Sequence, residues 1–281
     1  MNADTEPRSV FFVSDRTGIT AENLGHALLT QFNGITFKHH SFPYIDSEEK
    51  AHRAAEAINK VAQASHNQPL VFSTLIDNSY RKIIADTQAH IIDFFDAFIK
   101  PLEAELCTPS SHAEGLSHGI NNEGVYMSRM DAVNFALKND DGASTKEFKD
   151  ADVILIGVSR SGKTPTCLYM AMQFGIRAAN YPLTEADMLN TSLPESLQPY
   201  RNRLFGLMIN AKRLHNIREM RRQNSEYASM AQCQKEVRLI SALFEQENIS
   251  HLDSSYISVE EIATSIIQRM QINRPSIYRL D

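Results

Sequence analysis

Cysteine is scarce in this chain: Cys107, Cys167 and Cys233 are odd in number and far apart in 281 residues. That count argues against a disulfide framework and against the closely spaced thiols of a zinc site, and it suits a reducing compartment. A basic excess is also missing. Lys and Arg number 28 against 34 Asp and Glu, a net charge of -6, so the positive field that nucleic acid needs is absent. No apolar run approaches the ~20 residues required to span a bilayer. The opening "MNADTEPRS" lacks the apolar core of a secretory signal. The expectation is a soluble cytoplasmic protein that binds neither membrane nor nucleic acid.

What is present is ordinary globular material, 42% hydrophobic and 22% charged, long enough for one large domain or two small ones. Short apolar runs alternate with amphipathic stretches. Strands are expected at 9–15, 35–42, 69–77 and 89–95. Between them lie helical patterns, including "GITAENLGHALLTQF" and 46–65, where Asp46 is the expected cap. Such alternation implies parallel pairing with helical crossovers. From 107 to about 124 small, polar, turn-forming residues dominate, as in an exposed connection. A helix is expected over 127–140, then the strand 151–159, then "PTCLYMAMQF" as a helix. Further strands are expected at 176–183 and 204–210 and in "ISHLDSS", with helices in "KRLHNIREMRRQ", 228–248 and 259–270. No internal repeat is evident. The organisation predicted is α/β, with a Rossmann-like parallel-sheet half (1–106), a connecting segment (107–150) and a P-loop kinase-like half (151–281).

Residues 157–164 read "GVSRSGKT", the G-x-x-x-x-G-K-[ST] spacing of a phosphate-binding loop. Gly157 and Gly162 let the backbone wrap a phosphate without a Cβ clash. The amides of Val158, Ser159, Arg160, Ser161, Gly162, Lys163 and Thr164 are candidates to converge on phosphate oxygens at a helix N-terminus. Lys163 would reach the terminal phosphate, and Thr164 would offer a hydroxyl to Mg²⁺. Pro165 suits the first helical turn, where a missing N–H costs little. The bland alternative is a tight turn carrying a surface lysine. The flanking strand and helix favour the nucleotide reading. No G-x-G-x-x-G, H-R-D or D-F-G motif marks the common protein-kinase fold.

Arg213, Arg218, Arg221 and Arg222 cluster in "KRLHNIREMRR". They either close over phosphates or form a solvated helix face, with Glu219 as a local partner. Asp15, in "VSDRTGITAE", follows a strand, where open α/β sheets place ligands. It is read as a base, a magnesium partner or a helix cap. His118 in "SHG" is either a proton carrier or a solvated loop histidine. Asp141, in "NDDG", is a further candidate for a base or phosphate-site role.

Eight stretches carry a closer likeness: "SDRTGITAE", "PLVFS", "SHG", "DDG", "GVSRSGKTPTCLYMAMQFGIRAANYP", "LFGLMI", "REMRRQNSEYAS" and "YISVEEIAT". Over nearly its whole length the chain resembles the bacterial phosphoenolpyruvate synthase regulatory proteins, relatives of the plant pyruvate,phosphate dikinase regulatory proteins. Arg16 departs from the glycine usual in that family's "SDGTG", and Ser161 stands where cysteine or threonine is common. The resemblance implies a bifunctional enzyme. It would phosphorylate a threonine of phosphoenolpyruvate synthase from ADP, inactivating the target. It would reverse this with inorganic phosphate, releasing pyrophosphate. A β-phosphoryl donor site needs no room for a γ-phosphate. Action on pyruvate,phosphate dikinase, small-molecule kinase activity and nucleotide sensing without catalysis stand as alternatives, and a homodimer is an open possibility.

Overall fold

The computed structural model describes residues 6–111, 123–142, 145–189 and 192–273. The chain divides into two compact units, Met1–Gly119 and Ile120–Asp281. Each is built on a four-stranded parallel sheet. Among the described residues no helix is long and apolar enough to cross a membrane.

In the first unit β1 (Arg8–Val13), β2 (Phe37–Phe42), β3 (Leu70–Ser73) and β4 (His90–Asp93) alternate with α1 (Ile19–Leu29), α2 (Glu48–Ala64), α3 (Asn78–Ala85) and α4 (Phe94–Leu106). The sheet order is β2-β1-β3-β4. Strand β1 is central, and Val10, Phe11, Phe12 and Val13 are all buried. Its residues divide by pleat: Phe11 and Val13 join one apolar cluster, Val10 and Phe12 the other. The cap of α2 is Ser47, whose side chain accepts the Lys50 N–H. The expected Asp46 instead pairs with Lys50 at 2.8 Å, because only the residue bordering the first turn reaches its free amides.

The second unit opens with α5 (Glu123–Lys138), which lies inside the 107–150 stretch read as a connection and packs on α6. Then come β5 (Val153–Gly157), α6 (Lys163–Phe174), β6 (Ala178–Pro182), α7 (Glu185–Leu189), β7 (Leu204–Met208), α8 (Ala211–Arg221), α9 (Met230–Gln246), β8 (His251–Asp253) and α10 (Val259–Arg269). Sheet order is β6-β5-β7-β8. Every residue of β5 is buried, as befits a strand covered on both faces. Helix α10 starts with a full capping box between Ser258 and Glu261.

The two sheets therefore share one strand order, the first strand central and the second to its outside. That arrangement opens a crevice at the C-terminal ends of the first and third strands. In both units the helix after the first strand begins at a left-handed glycine, Gly18 (φ 78°) and Gly162 (φ 93°). The repeat lies in topology, which is why no sequence period announced it.

Strand β7 approaches α9 closely enough to require glycine. A Cβ on Gly206 would stand 2.4 Å from the ring of Phe244, itself fully buried. Gly206→Ala is expected to lower stability by about 1–3 kcal/mol through overpacking. A urea denaturation midpoint equal to the wild type would show that the ring has room to move.

Candidate functional site

The loop joining β5 to α6 is residues 158–162, at the crevice between β5 and β7. Its carbonyls are held by donors from the surrounding protein. Gly157 O and Val158 O accept from Lys163 Nζ at 3.1 and 2.8 Å. Ser159 O accepts from Arg218 at 3.1 Å. Ser161 O accepts from Ser254 Oγ at 2.9 Å. A trans peptide points its N–H opposite its C=O. Four captured carbonyls thus turn the amides of residues 158, 159, 160 and 162 away from those donors, the arrangement that cradles an anion. The turn requires left-handed backbone at Arg160 (φ 78°) as well as Gly162, and a non-glycine residue there carries strain that the anchors must hold. Gly157 is obligatory for a different reason: a Cβ there would lie 2.5 Å from Leu207 O.

Lys163 is buried. Burial is the main influence on its ammonium and pulls it from 10.5 to about 8, against the opposing charges of Asp141 and Asp140.

Asp140 and Asp141 reach the loop through a backbone device. Asn139 O accepts from Asn180 N, and Gly142 N donates to Asn180 O, both at 3.0 Å. This short ladder ties the 139–142 turn to β6. Asp141 takes a left-handed conformation (φ 54°). Asp140 Oδ1 accepts from Thr164 Oγ1 at 2.8 Å and from Asn180 Nδ2 at 2.5 Å. The same amide nitrogen lies 3.0 Å from Thr164 Oγ1. Asn180 Oδ1 is buried with no partner. Thr164 and Asp140 set two hard oxygen donors side by side, the kind that Mg²⁺ takes. Sequence reasoning named Asp141 and missed Asp140 and Asn180. The doubled acid in "NDDG" was the available signal, but only the turn's register decides which acid meets Thr164.

These groups line one cavity of about 440 Å³. Arg160, Lys163 and Arg221 supply cations, Asp140 and Asp141 carboxylates, and Ser159, Gly162, Thr164, Pro165 and Asn180 the remainder.

The arginine cluster divides by position. Arg218 has no solvent exposure and makes a two-pronged pair with Glu236, at 3.0 and 2.6 Å. Its guanidinium also lies 4.0 Å from the Tyr227 ring centroid, and Tyr227 OH donates to Ser159 Oγ at 2.9 Å. Arg213 lies over Tyr256. Glu219, expected as the arginines' partner, accepts the Asn224 N–H instead. Arg218 thus sits neither over phosphates nor in solvent; the partner it needs is one helix away in sequence.

Asp15 falls at the other unit's crevice. It does not cap α1, whose cap is Gly18 without a side-chain bond. Its Oδ2 accepts the Ile76 N–H at 3.0 Å, joining the ends of β1 and β3. Burial raises its carboxyl above the ordinary value, with the Ile76 bond opposing. His118 lies outside the described residues.

The sequence pattern of the kinase/pyrophosphorylase family matches residues 10–267. The chain belongs to that family. Three relatives are provisionally named phosphoenolpyruvate synthase regulatory proteins. Those of Pseudomonas fluorescens (strain Pf0-1) and Stutzerimonas stutzeri (strain A1501) are 52% identical over 267 residues, 95% of this chain and 98% of theirs. That of Pseudomonas aeruginosa (strain LESB58) is 51% identical, over 95% of this chain and 97% of its own. A phosphate cradle joined to paired acids is consistent with the phosphotransfer that the family's description names.

Two expectations follow from the geometry. A bound phosphate favours the ammonium of Lys163. Nucleotide binding should therefore take up a proton between about pH 8 and the ordinary lysine range, and affinity should fall as pH rises through about 8. Calorimetry near pH 8.5 in two buffers of different ionisation enthalpy reads this directly; a buffer-independent heat would contradict it. The same shift means that an unfolded chain holds more protons in that window, so Lys163's contribution to stability improves with rising pH.

The second concerns Arg218→Met, which strands Glu236 in the interior and should cost about 3–5 kcal/mol. Adding Glu236→Leu should restore most of that stability without restoring nucleotide affinity, because Ser159 O stays unheld. Full recovery of both would show that the pair serves stability alone.

Proposed function

We propose that this protein is a bifunctional regulator of phosphoenolpyruvate synthase. As a kinase it moves the β-phosphoryl group of ADP to a threonine hydroxyl of the synthase, giving phosphothreonine, AMP and a proton, and it inactivates the target. As a phosphorylase it uses inorganic phosphate to remove that group as pyrophosphate, restoring the hydroxyl. The observation that carries this reading is the single cavity holding Lys163, Arg160 and Arg221 together with Asp140 and Asp141. Support comes from the names of the Pseudomonas and Stutzerimonas relatives and the family's description.

The loop amides and Lys163 bind the diphosphate. Lys163 keeps the carbonyls of Gly157 and Val158 and offers its remaining donor to the phosphoryl oxygens, where charge spreads in the transition state. Thr164 and Asp140, positioned by Asn180, would hold Mg²⁺, which when bound neutralises phosphate charge. Asp141 lines the same cavity and is assigned as the base that takes the threonine proton. In the return direction the same cations receive inorganic phosphate.

Incubation with purified synthase and ADP labelled in the β-phosphate tests the assignment. The label is expected on a threonine of the synthase, and Lys163→Ala should slow its arrival by roughly 10²-fold or more. Label on a small metabolite instead would make this a small-molecule kinase. Nucleotide binding with no transfer would make it a sensor. Strict dependence on ATP, once contaminating ADP is removed, would refute the donor.

A further inference from the structure

Among the arginines of α8 only Arg221 reaches the cavity of the phosphate loop. Arg213 is engaged with Tyr256 and Arg218 with Glu236. The side chain of Arg221 forms no hydrogen bond or ion pair with any described residue, and the residue is exposed. It lies three residues beyond Arg218, one helical turn away on the same side of α8. Arg218 is fixed to the loop through Ser159 O, so the turn bearing Arg221 is anchored at the rim of the phosphate cradle. The helix ends there: Arg221 is its last residue, and Arg222 has left helical geometry (φ -141°, ψ 84°). Its guanidinium is thus carried on a fixed backbone, and no described residue holds its tip.

The charges lining the cavity give this tip a task. Three cations face two carboxylates. Without Arg221 the lining is formally neutral, a poor match for a diphosphate. A planar guanidinium meets two phosphate oxygens at once, which the Lys163 ammonium does not.

We propose that Arg221 is a phosphate-contacting residue that binds the terminal phosphoryl group of the ligand held by the loop. In the reaction proposed above it contacts the group being transferred, and in the return direction the pyrophosphate being formed. The catalytic part of this inference rests on that functional reading; the binding part does not.

Pyrophosphate is the probe that separates them, since it needs neither synthase nor turnover. Titration calorimetry should show Arg221→Ala binding pyrophosphate about ten- to a hundredfold more weakly than wild type, the scale of a lost hydrogen bond to a charged group. The salt dependence of binding should weaken with it. Arg221→Lys should fall between the two, keeping charge but losing the two-pronged contact. Arg222→Ala, one residue on, should bind as wild type does, and matching thermal melts exclude misfolding. Affinity of Arg221→Ala within twofold of wild type overturns the proposal, as does wild-type protein that binds no pyrophosphate. If binding changes as expected while wild type transfers no phosphoryl group to the synthase, the contact stands and the proposed function fails. If transfer occurs, Arg221→Ala should lower kcat more than it raises KM for ADP; an effect on KM alone would confine the residue to binding the ground state.

Discussion

The buried pair of Arg218 and Glu236 is the constraint on which the site depends. Removing two charges from water is costly, and a pair so placed adds little stability compared with apolar side chains. Its value here is positional. The fork of Arg218 spends two nitrogens on Glu236 and still reaches Ser159 O and Tyr227 O. Tyr227 closes the circuit on the Ser159 hydroxyl. One residue of the loop is thereby held by backbone and side chain alike, from two points of the segment that follows β7. Ser254 does the equivalent for Ser161 from the end of β8. A loop with left-handed residues at Arg160 and Gly162 would otherwise relax toward easier backbone angles.

The acids arrive by an independent route. They sit on a turn before β5, not at the end of β7, and the turn is fastened by backbone bonds to Asn180. Asn180 then spends its amide nitrogen on Asp140 and Thr164. Cations and acids therefore come from separate segments, and neither set is an incidental neighbour of the other.

Much of this was legible in the sequence. Two glycines at fixed points marked the turn between a strand and a helix, which is where the loop lies, and an apolar run such as 153–157 fits a strand covered on both faces. Alternating strands and helices announced two parallel sheets. Exact ends were less legible. The run at 69–77 stops as a strand at Ser73, because Asp77 is needed to cap α3. The run at 89–95 stops at Asp93, which caps α4. Strand and cap compete for the same few residues, and periodicity does not rank them. Least legible were pairings across long separations. Nothing local to "NIREMRR" says that Arg218 will meet Glu236, or that "NDDG" will lie along β6. Such partners are chosen by the packed structure, and glycine and lysine at a loop reveal nothing of what stands behind them.

The ladder at Asn180 has a second effect, on the rim of the sheet. Strand β6 is an outer strand, and an open outer strand invites pairing with another chain. Residues 178, 180 and 182 turn the same way along it. Asn180 offers both its N–H and its C=O outward, and both are taken by the 139–142 turn. Pro182 has no N–H to offer. The β6 margin of this sheet is thus blunted at two of three positions, and the turn that delivers Asp140 and Asp141 also shields that edge from pairing with another strand.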